Sequence, residues 1–215
     1  MGRKKLPAWS SRNEFLAKIS ESGGMVVTGE TGCGKTTQIP QFIHEEQPDA
    51  KVLICQPRRL AAIGVATRVS EELCCELGEE VGYMVRGDSK CTGMTRLAFC
   101  TYGVLLRRLQ SDPLLEGIDY VILDEVHERG VDSDFGLALL VTALGHQKSS
   151  FKLVLMSATI STDKFSSYLG DALVGKYHPK NCRGKRGFNN GIRGPPAAVL
   201  SIPGYTHDVE MFYKS

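Results

Sequence analysis

The run Gly29-Glu30-Thr31-Gly32-Cys33-Gly34-Lys35-Thr36 constrains this 215-residue chain more than any other stretch. It fits the pattern G-x-x-x-x-G-K-[S/T], and its flanks give that pattern physical meaning. Met25-Val26-Val27-Thr28 before it reads as a short buried strand, and residues 36–46 after it read as a helix. Strand, glycine loop and helix N-terminus in that order form a cradle for phosphate. The glycines let backbone N–H groups turn inward with no Cβ in the way. Lys35 is placed to reach the β- and γ-phosphates of a nucleotide, and the Thr36 hydroxyl to take one position on Mg²⁺. Thr37 continues this set into the helix. A glycine-rich turn that binds nothing is the alternative.

The rest of the chain repeats the same alternation. Apolar runs at residues 25–28, 52–55, 97–101, 120–123 and 153–156 are short, rich in Val, Ile and Leu, and barely alternate with polar residues. Strands covered on both faces read this way. Helical patterns at 35–46, 59–77, 102–110, 135–144 and 162–169 separate them, with another at 12–20 ahead of the first strand. In the 59–77 segment Leu60, Ile63, Ala66 or Val65, Val69 and Leu73 recur at helical spacing. Repeated βα units predict an α/β fold, with a mostly parallel, doubly wound sheet and helices on both faces.

Composition bounds the partners. No apolar run is long enough to span a bilayer, and no apolar stretch follows the basic N-terminus, so no membrane or secretory signal is read. The seven cysteines form no C-x-x-C pair and read as reduced thiols of an intracellular protein, nuclear or cytoplasmic. Net charge is +2. Residues 176–196 hold six basic and no acidic residues, which leaves 20 basic against 24 acidic elsewhere. A nucleic-acid surface on the folded part must therefore be a local patch. The 175–197 stretch, rich in Gly and basic residues with Pro195-Pro196, reads as a flexible insertion. It reads either as a disordered solvated loop or as an accessory contact for nucleic-acid phosphate. It separates a first domain at 1–174 from 198–215.

Asp124-Glu125 closes the apolar strand Tyr120-Val121-Ile122-Leu123. Carboxylates at the C-terminal end of a buried parallel strand face the crevice where ligands bind. Buried acids without a cation are costly, so the pair points to a metal, with Thr36, Asp124 and Glu125 as its candidate residues. An N-cap pair for the next turn is the alternative. The chain continues Val126-His127-Glu128-Arg129-Gly130, and Ser157-Ala158-Thr159 closes a later strand.

Taken together, these runs resemble the DEAH/DExH-box RNA helicases, in particular their first RecA-like domain. Gly29–Thr36 resembles motif I, Gln56-Pro57-Arg58-Arg59-Leu60-Ala61-Ala62 motif Ia, and Thr101-Tyr102-Gly103-Val104-Leu105-Leu106-Arg107 motif Ib. Asp124-Glu125-Val126-His127 is similar to motif II, and Ser157-Ala158-Thr159 to motif III. Val126 departs from the alanine of the DEAH spelling, toward the DExH side. The likeness implies a RecA-like P-loop NTPase domain that uses ATP, yields ADP and takes Mg²⁺. It implies catalytic roles for Lys35, Asp124, Glu125 and His127, and coupling roles for Ser157, Ala158 and Thr159. Arg68 matches an arginine that stacks on the base, and a guanidinium plane stacks on any purine. Arg58, Arg59, Arg86 and Thr101 match positions that touch the backbone of single-stranded RNA, a contact that positions without reading sequence. For each arginine a solvated surface charge is the alternative.

The resemblance also implies partners. In the family a second RecA-like domain supplies arginine fingers, worth roughly 10³–10⁵ in turnover. The passage Leu200-Ser201-Ile202-Pro203-Gly204 resembles the way into that domain, so 198–215 reads as linker and start of a truncated second domain. The isolated chain is then expected to bind nucleotide and turn over poorly, with an activator protein as a further partner. A regulator that only binds nucleotide or RNA, and another P-loop NTPase, are the competing readings.

Overall fold

The computed structural model describes residues 3–146, 149–158, 162–177 and 195–204. Eight strands form one sheet: β1 (Gly24–Gly29), β2 (Val52–Gln56), β3 (Val81–Val85), β4 (Asp88–Lys90), β5 (Leu97–Thr101), β6 (Tyr120–Leu123), β7 (Lys152–Ser157) and β8 (Ala198–Ile202). Their spatial order is β4-β3-β5-β2-β6-β7-β1-β8, parallel throughout except for β4, which runs antiparallel to β3. The expected doubly wound α/β sheet is the observed one.

Alternate residues of the central strands feed opposite cores. Met25, Val27, Val52 and Ile54 join a core under the helices Pro7–Ser10 (α1), Arg12–Glu21 (α2), Lys35–Glu46 (α3) and Arg59–Leu73 (α4). Val26, Leu53, Cys55 and Val121 join a second core under Tyr102–Ser111 (α5), Val131–Leu144 (α6) and Thr162–Tyr177 (α7). Burial on both faces explains why these strands lack period-2 patterning. Hydrophobic transfer then stabilises both faces, at roughly 25 cal/mol per Å² of apolar surface removed from water.

Several boundaries differ from the sequence reading. α4 ends at Leu73, because Cys74 adopts a left-handed backbone with φ 56 and Cys75 N–H closes on Ser70 O. Leu60 is 83% exposed and lies outside the core that its spacing suggested. The hairpin β3–β4 was not read from sequence. Gly82 interrupts its apolar run, and a Cβ there would collide with the Lys90 carbonyl. α7 continues past Leu169, where Gly170 resembles a stop. Gly170 is instead a point of close packing, since a Cβ would collide with the Pro195 carbonyl. Ser166 Oγ donates to Ala197 O at 2.7 Å across the same contact.

The largest difference concerns 198–202. Its sequence predicts a linker, but it pairs in parallel with β1, Met25 opposite Ala198 through Gly29 opposite Ile202. Its apolar residues Leu200 and Ile202 are buried in the sheet core, so it is part of the first sheet. Most of the basic insertion and residues 205–215 lie outside the described residues. Among the described residues no helix is long and apolar enough to cross a membrane.

Candidate active site and nucleic-acid groove

The carboxyl ends of β1, β2, β5, β6 and β7 share one edge of the sheet, and the motif residues follow them. After β1 the chain turns through Gly32 (φ +86) and Gly34 (φ +93) before α3. Left-handed backbone at both positions turns the loop sharply, a conformation glycine adopts without a Cβ clash. At Gly34 a Cβ would also sit 3.0 Å from Leu6 Cδ1. Gly34→Ala is therefore expected to cost about 1–2 kcal/mol, a fall of roughly 2–8 °C in melting temperature. A thermal melt checks this, and an unchanged midpoint contradicts it.

Lys35 is 4% exposed. Its ammonium donates to Gly29 O at 2.5 Å and to Glu30 O at 3.1 Å, with Cys33 Sγ at 3.7 Å. These contacts hold the charge at the mouth of the loop. Thr36 Oγ1 donates to Asp124 Oδ2 at 2.6 Å, although β7 lies between β1 and β6. Thr37 Oγ1 faces back into the loop and donates to Gly34 O at 3.3 Å. Glu30 stays exposed at the rim, and Cys33 is buried beneath it.

Asp124 is fully buried. Its Oδ2 also accepts from Gln56 Nε2 at 2.8 Å, and its Oδ1 from the Glu125 N–H at 2.9 Å. Burial pushes the Asp124 carboxyl above the ordinary range, opposed by the bonds from Thr36 and Gln56 and by the nearby Lys35 charge. Glu125 is raised too, by burial first and then by the Asp124 charge. Its backbone is left-handed at φ 55, which is uncommon for a glutamate and turns the chain sharply after the strand. A short 3-10 turn, Val126–Glu128, follows.

His127 links this turn to β7. Its Nδ1 accepts the Ala158 N–H at 3.2 Å, and the same nitrogen lies 3.3 Å from Glu125 Oε2. The two bonds exclude each other: Nδ1 accepts from Ala158 through its lone pair and donates to Glu125 only when it carries a proton. Ser157 is buried at the end of β7 beside this contact, and Thr159 lies outside the described residues.

Arg68 sits apart, on α4. Its side chain is 59% exposed, and its Nε donates to Glu72 at 2.9 Å. Glu72 also accepts from Gln38 and Gln41 of α3, at 2.9 and 2.8 Å. Burial alone would raise this carboxyl, but the bonds from Gln41, Gln38 and Arg68 outweigh it and hold it below the ordinary value. Arg68 is thereby tethered to α3, while more than half of its side chain stays exposed.

A groove of about 900 Å³ opens further along the same edge. Arg58, Arg86 and Thr101 line it, as does Arg107, which sequence reasoning did not single out. Glu128 and Asp132 line it too, and Arg58 reaches Glu128 Oε1 at 3.1 Å. Arg59 is exposed but does not line the groove. Gln56 and Tyr102 were also missed as site residues. Both sit inside recognised motifs, yet only the fold shows that each bonds to Asp124.

The donor set fits Mg²⁺. Among the described residues no group of three or more His, Cys, Asp and Glu could hold a metal alone. One hydroxyl and one carboxylate in contact suit a small hard cation that completes its shell with water and substrate phosphate.

A family model described as DEAD/DEAH box helicase matches residues 11–166. The chain belongs to this family. It is 48% identical over 176 residues to the DExH-box ATP-dependent RNA helicase DExH1 of Arabidopsis thaliana, covering 79% of this chain and 18% of that protein. To the ATP-dependent RNA helicase dhx29 of Xenopus laevis it is 46% identical over 178 residues, 77% of this chain and 13% of the relative. The RNA editing associated helicase 2 of Trypanosoma brucei is 38% identical over 217 residues, 98% of this chain and 9% of its own length. The chain thus spans less than a fifth of these relatives. The family supports the RecA-like reading of the sheet, with its phosphate loop after β1 and its acids after β6.

Proposed function

We propose that this chain is the ATP-binding RecA-like domain of a DExH-box RNA helicase, which couples hydrolysis of ATP·Mg²⁺ to movement along or unwinding of RNA. The observation that carries the reading is the contact of Thr36 with Asp124 at the mouth of a glycine loop holding a buried lysine. Thr36 and Asp124 would hold Mg²⁺, with Glu125 beside them. The ion supplies charge neutralisation on the β- and γ-phosphates. Lys35 binds those phosphates. Glu125, with its raised proton affinity, is suited to orient and deprotonate the attacking water. Arg68, largely exposed, would stack on the base. His127, through its choice between Ala158 and Glu125, links the acids to the Ser157–Thr159 segment.

RNA is assigned to the groove. Arg58, Arg86 and Arg107 give it a phosphate-binding wall, and the relatives named as RNA helicases support RNA over DNA. A second RecA-like domain would face the nucleotide edge and supply the remaining charge for turnover, and an activator protein could promote that closure. The match covers 18% and 9% of two relatives, which leaves ample length in them for a further domain.

Binding of a labelled single-stranded oligouridylate, followed by anisotropy over a series of salt concentrations, tests the groove. Arg58→Ala and Arg86→Ala are each expected to weaken binding and to lower the log–log salt slope by about 0.7, the value of one single-strand phosphate contact. Unchanged slopes in both variants would remove RNA from this groove.

A further inference from the structure

The groove and the nucleotide loop occupy different stretches of one sheet edge, and Tyr102 belongs to both neighbourhoods. Tyr102 begins α5 directly after Thr101 and forms part of the groove wall with Thr101 and Gly103. Its ring turns inward and is only 3% exposed. Gly136 of α6 packs beside that ring, close enough that a Cβ there would stand in ordinary contact with Tyr102 Cδ1 at 3.8 Å. At the far end of the ring, the hydroxyl donates to the backbone carbonyl of Asp124 at 2.6 Å.

That carbonyl belongs to the peptide between Asp124 and Glu125. The N–H of the same peptide donates to Asp124 Oδ1 at 2.9 Å, and Glu125 then takes its left-handed backbone. The phenol therefore fixes the plane from which both carboxylates are aimed. Core packing needs only the aromatic ring, whereas aiming the peptide needs the hydroxyl. The two roles are separable by removing one oxygen.

We propose that Tyr102 is a positioning residue that carries occupancy of the groove to the Asp124–Glu125 peptide. This rests on the reading of the loop as an ATP site and of the groove as an RNA site. A phosphodiester seated on Thr101 and Arg107 braces the first two turns of α5. The phenol rooted in those turns then holds the peptide in one orientation, and the metal-binding and water-orienting acids are pre-set for nucleotide. By linkage the effect is mutual, so each ligand tightens the other by the same factor.

The test compares the wild-type chain with Tyr102→Phe. The affinity of a fluorescent non-hydrolysable ATP analogue with Mg²⁺ is measured with and without saturating oligouridylate, and the reverse titration is run alongside. In the wild type each ligand is expected to tighten the other at least ~5-fold. In Tyr102→Phe the analogue alone should bind more weakly, because the acids lose their brace, and the mutual factor should fall below about 2. A variant that keeps the wild-type factor overturns the proposal, as does a wild type that binds both ligands without coupling. A wild type that binds neither ligand defeats the functional reading itself. Should Tyr102→Phe fail to fold, amide hydrogen exchange of residues 120–128 in the wild type gives the answer. Oligouridylate alone is expected to slow it several-fold, and unchanged exchange overturns the proposal.

Discussion

Replacing Lys35 by alanine is expected to lower the affinity for a Mg²⁺-bound ATP analogue by at least ~100-fold. A charge-assisted hydrogen bond is worth about 1.5–3 kcal/mol, and two such bonds to phosphate oxygens give about 3 kcal/mol or more, a factor of ~100. Lys35 is the group placed to make them, buried at the loop mouth with its ammonium on Gly29 O and Glu30 O. Those carbonyls border an open rim, where water replaces the lost donor. The melting temperature should consequently move by only a few degrees. Titration and a thermal melt on the same sample separate loss of the site from loss of the fold. Binding that survives in a folded variant contradicts the phosphate-loop assignment.

Asp124→Asn is expected to act in opposite directions on stability and on function. The carboxylate is fully buried, and burial raises its proton affinity, so its charged form is a liability in the nucleotide-free fold. An amide of the same shape removes that charge. Its oxygen can still accept from Thr36 and Gln56, but its nitrogen faces the Glu125 N–H and gives up one bond. Removal of the buried charge is expected to outweigh that lost bond, so the melting temperature without nucleotide should rise. The same change removes a hard oxygen ligand, so Mg²⁺ should no longer strengthen analogue binding.

The pH dependence follows from the same burial. The folded chain keeps protons on Asp124 and Glu125 that the unfolded chain has already released near their ordinary values of 3.8 and 4.5. The stability contributed by these two groups is therefore greatest at low pH. It falls as pH rises from the ordinary range through the raised values. Asp124→Asn should flatten that fall. A variant that melts lower than wild type at neutral pH and keeps its Mg²⁺ dependence contradicts this account.

Much of this architecture is written locally. Fully buried parallel strands leave uninterrupted apolar runs, and β5 and β6 begin and end where their patterns do. The phosphate loop and the acids after β6 were legible because each sits at a junction whose two flanks are readable. What escaped depends on contacts distant in sequence. Gly82 and Gly170 look like breaks in a pattern, and only the approach of Lys90 and Pro195 explains them. β8 lies at the sheet edge, and only its pairing with β1 separates it from a linker. Gln56 and Tyr102 bond to Asp124 across strands and carry no signal of that in their own neighbourhoods. The tether of Arg68 through Glu72 to α3 is hidden for the same reason.

The central claim is that the loop after β1 and the acids after β6 form one site for nucleotide and Mg²⁺. Equilibrium titration of the wild-type chain with a fluorescent non-hydrolysable ATP analogue, in Mg²⁺ and in EDTA, addresses it most directly. Saturable binding at one site, weakened at least ~10-fold by EDTA, is the predicted result, a difference of about 1.4 kcal/mol. Binding of equal strength with and without Mg²⁺, or no binding at all, would contradict it.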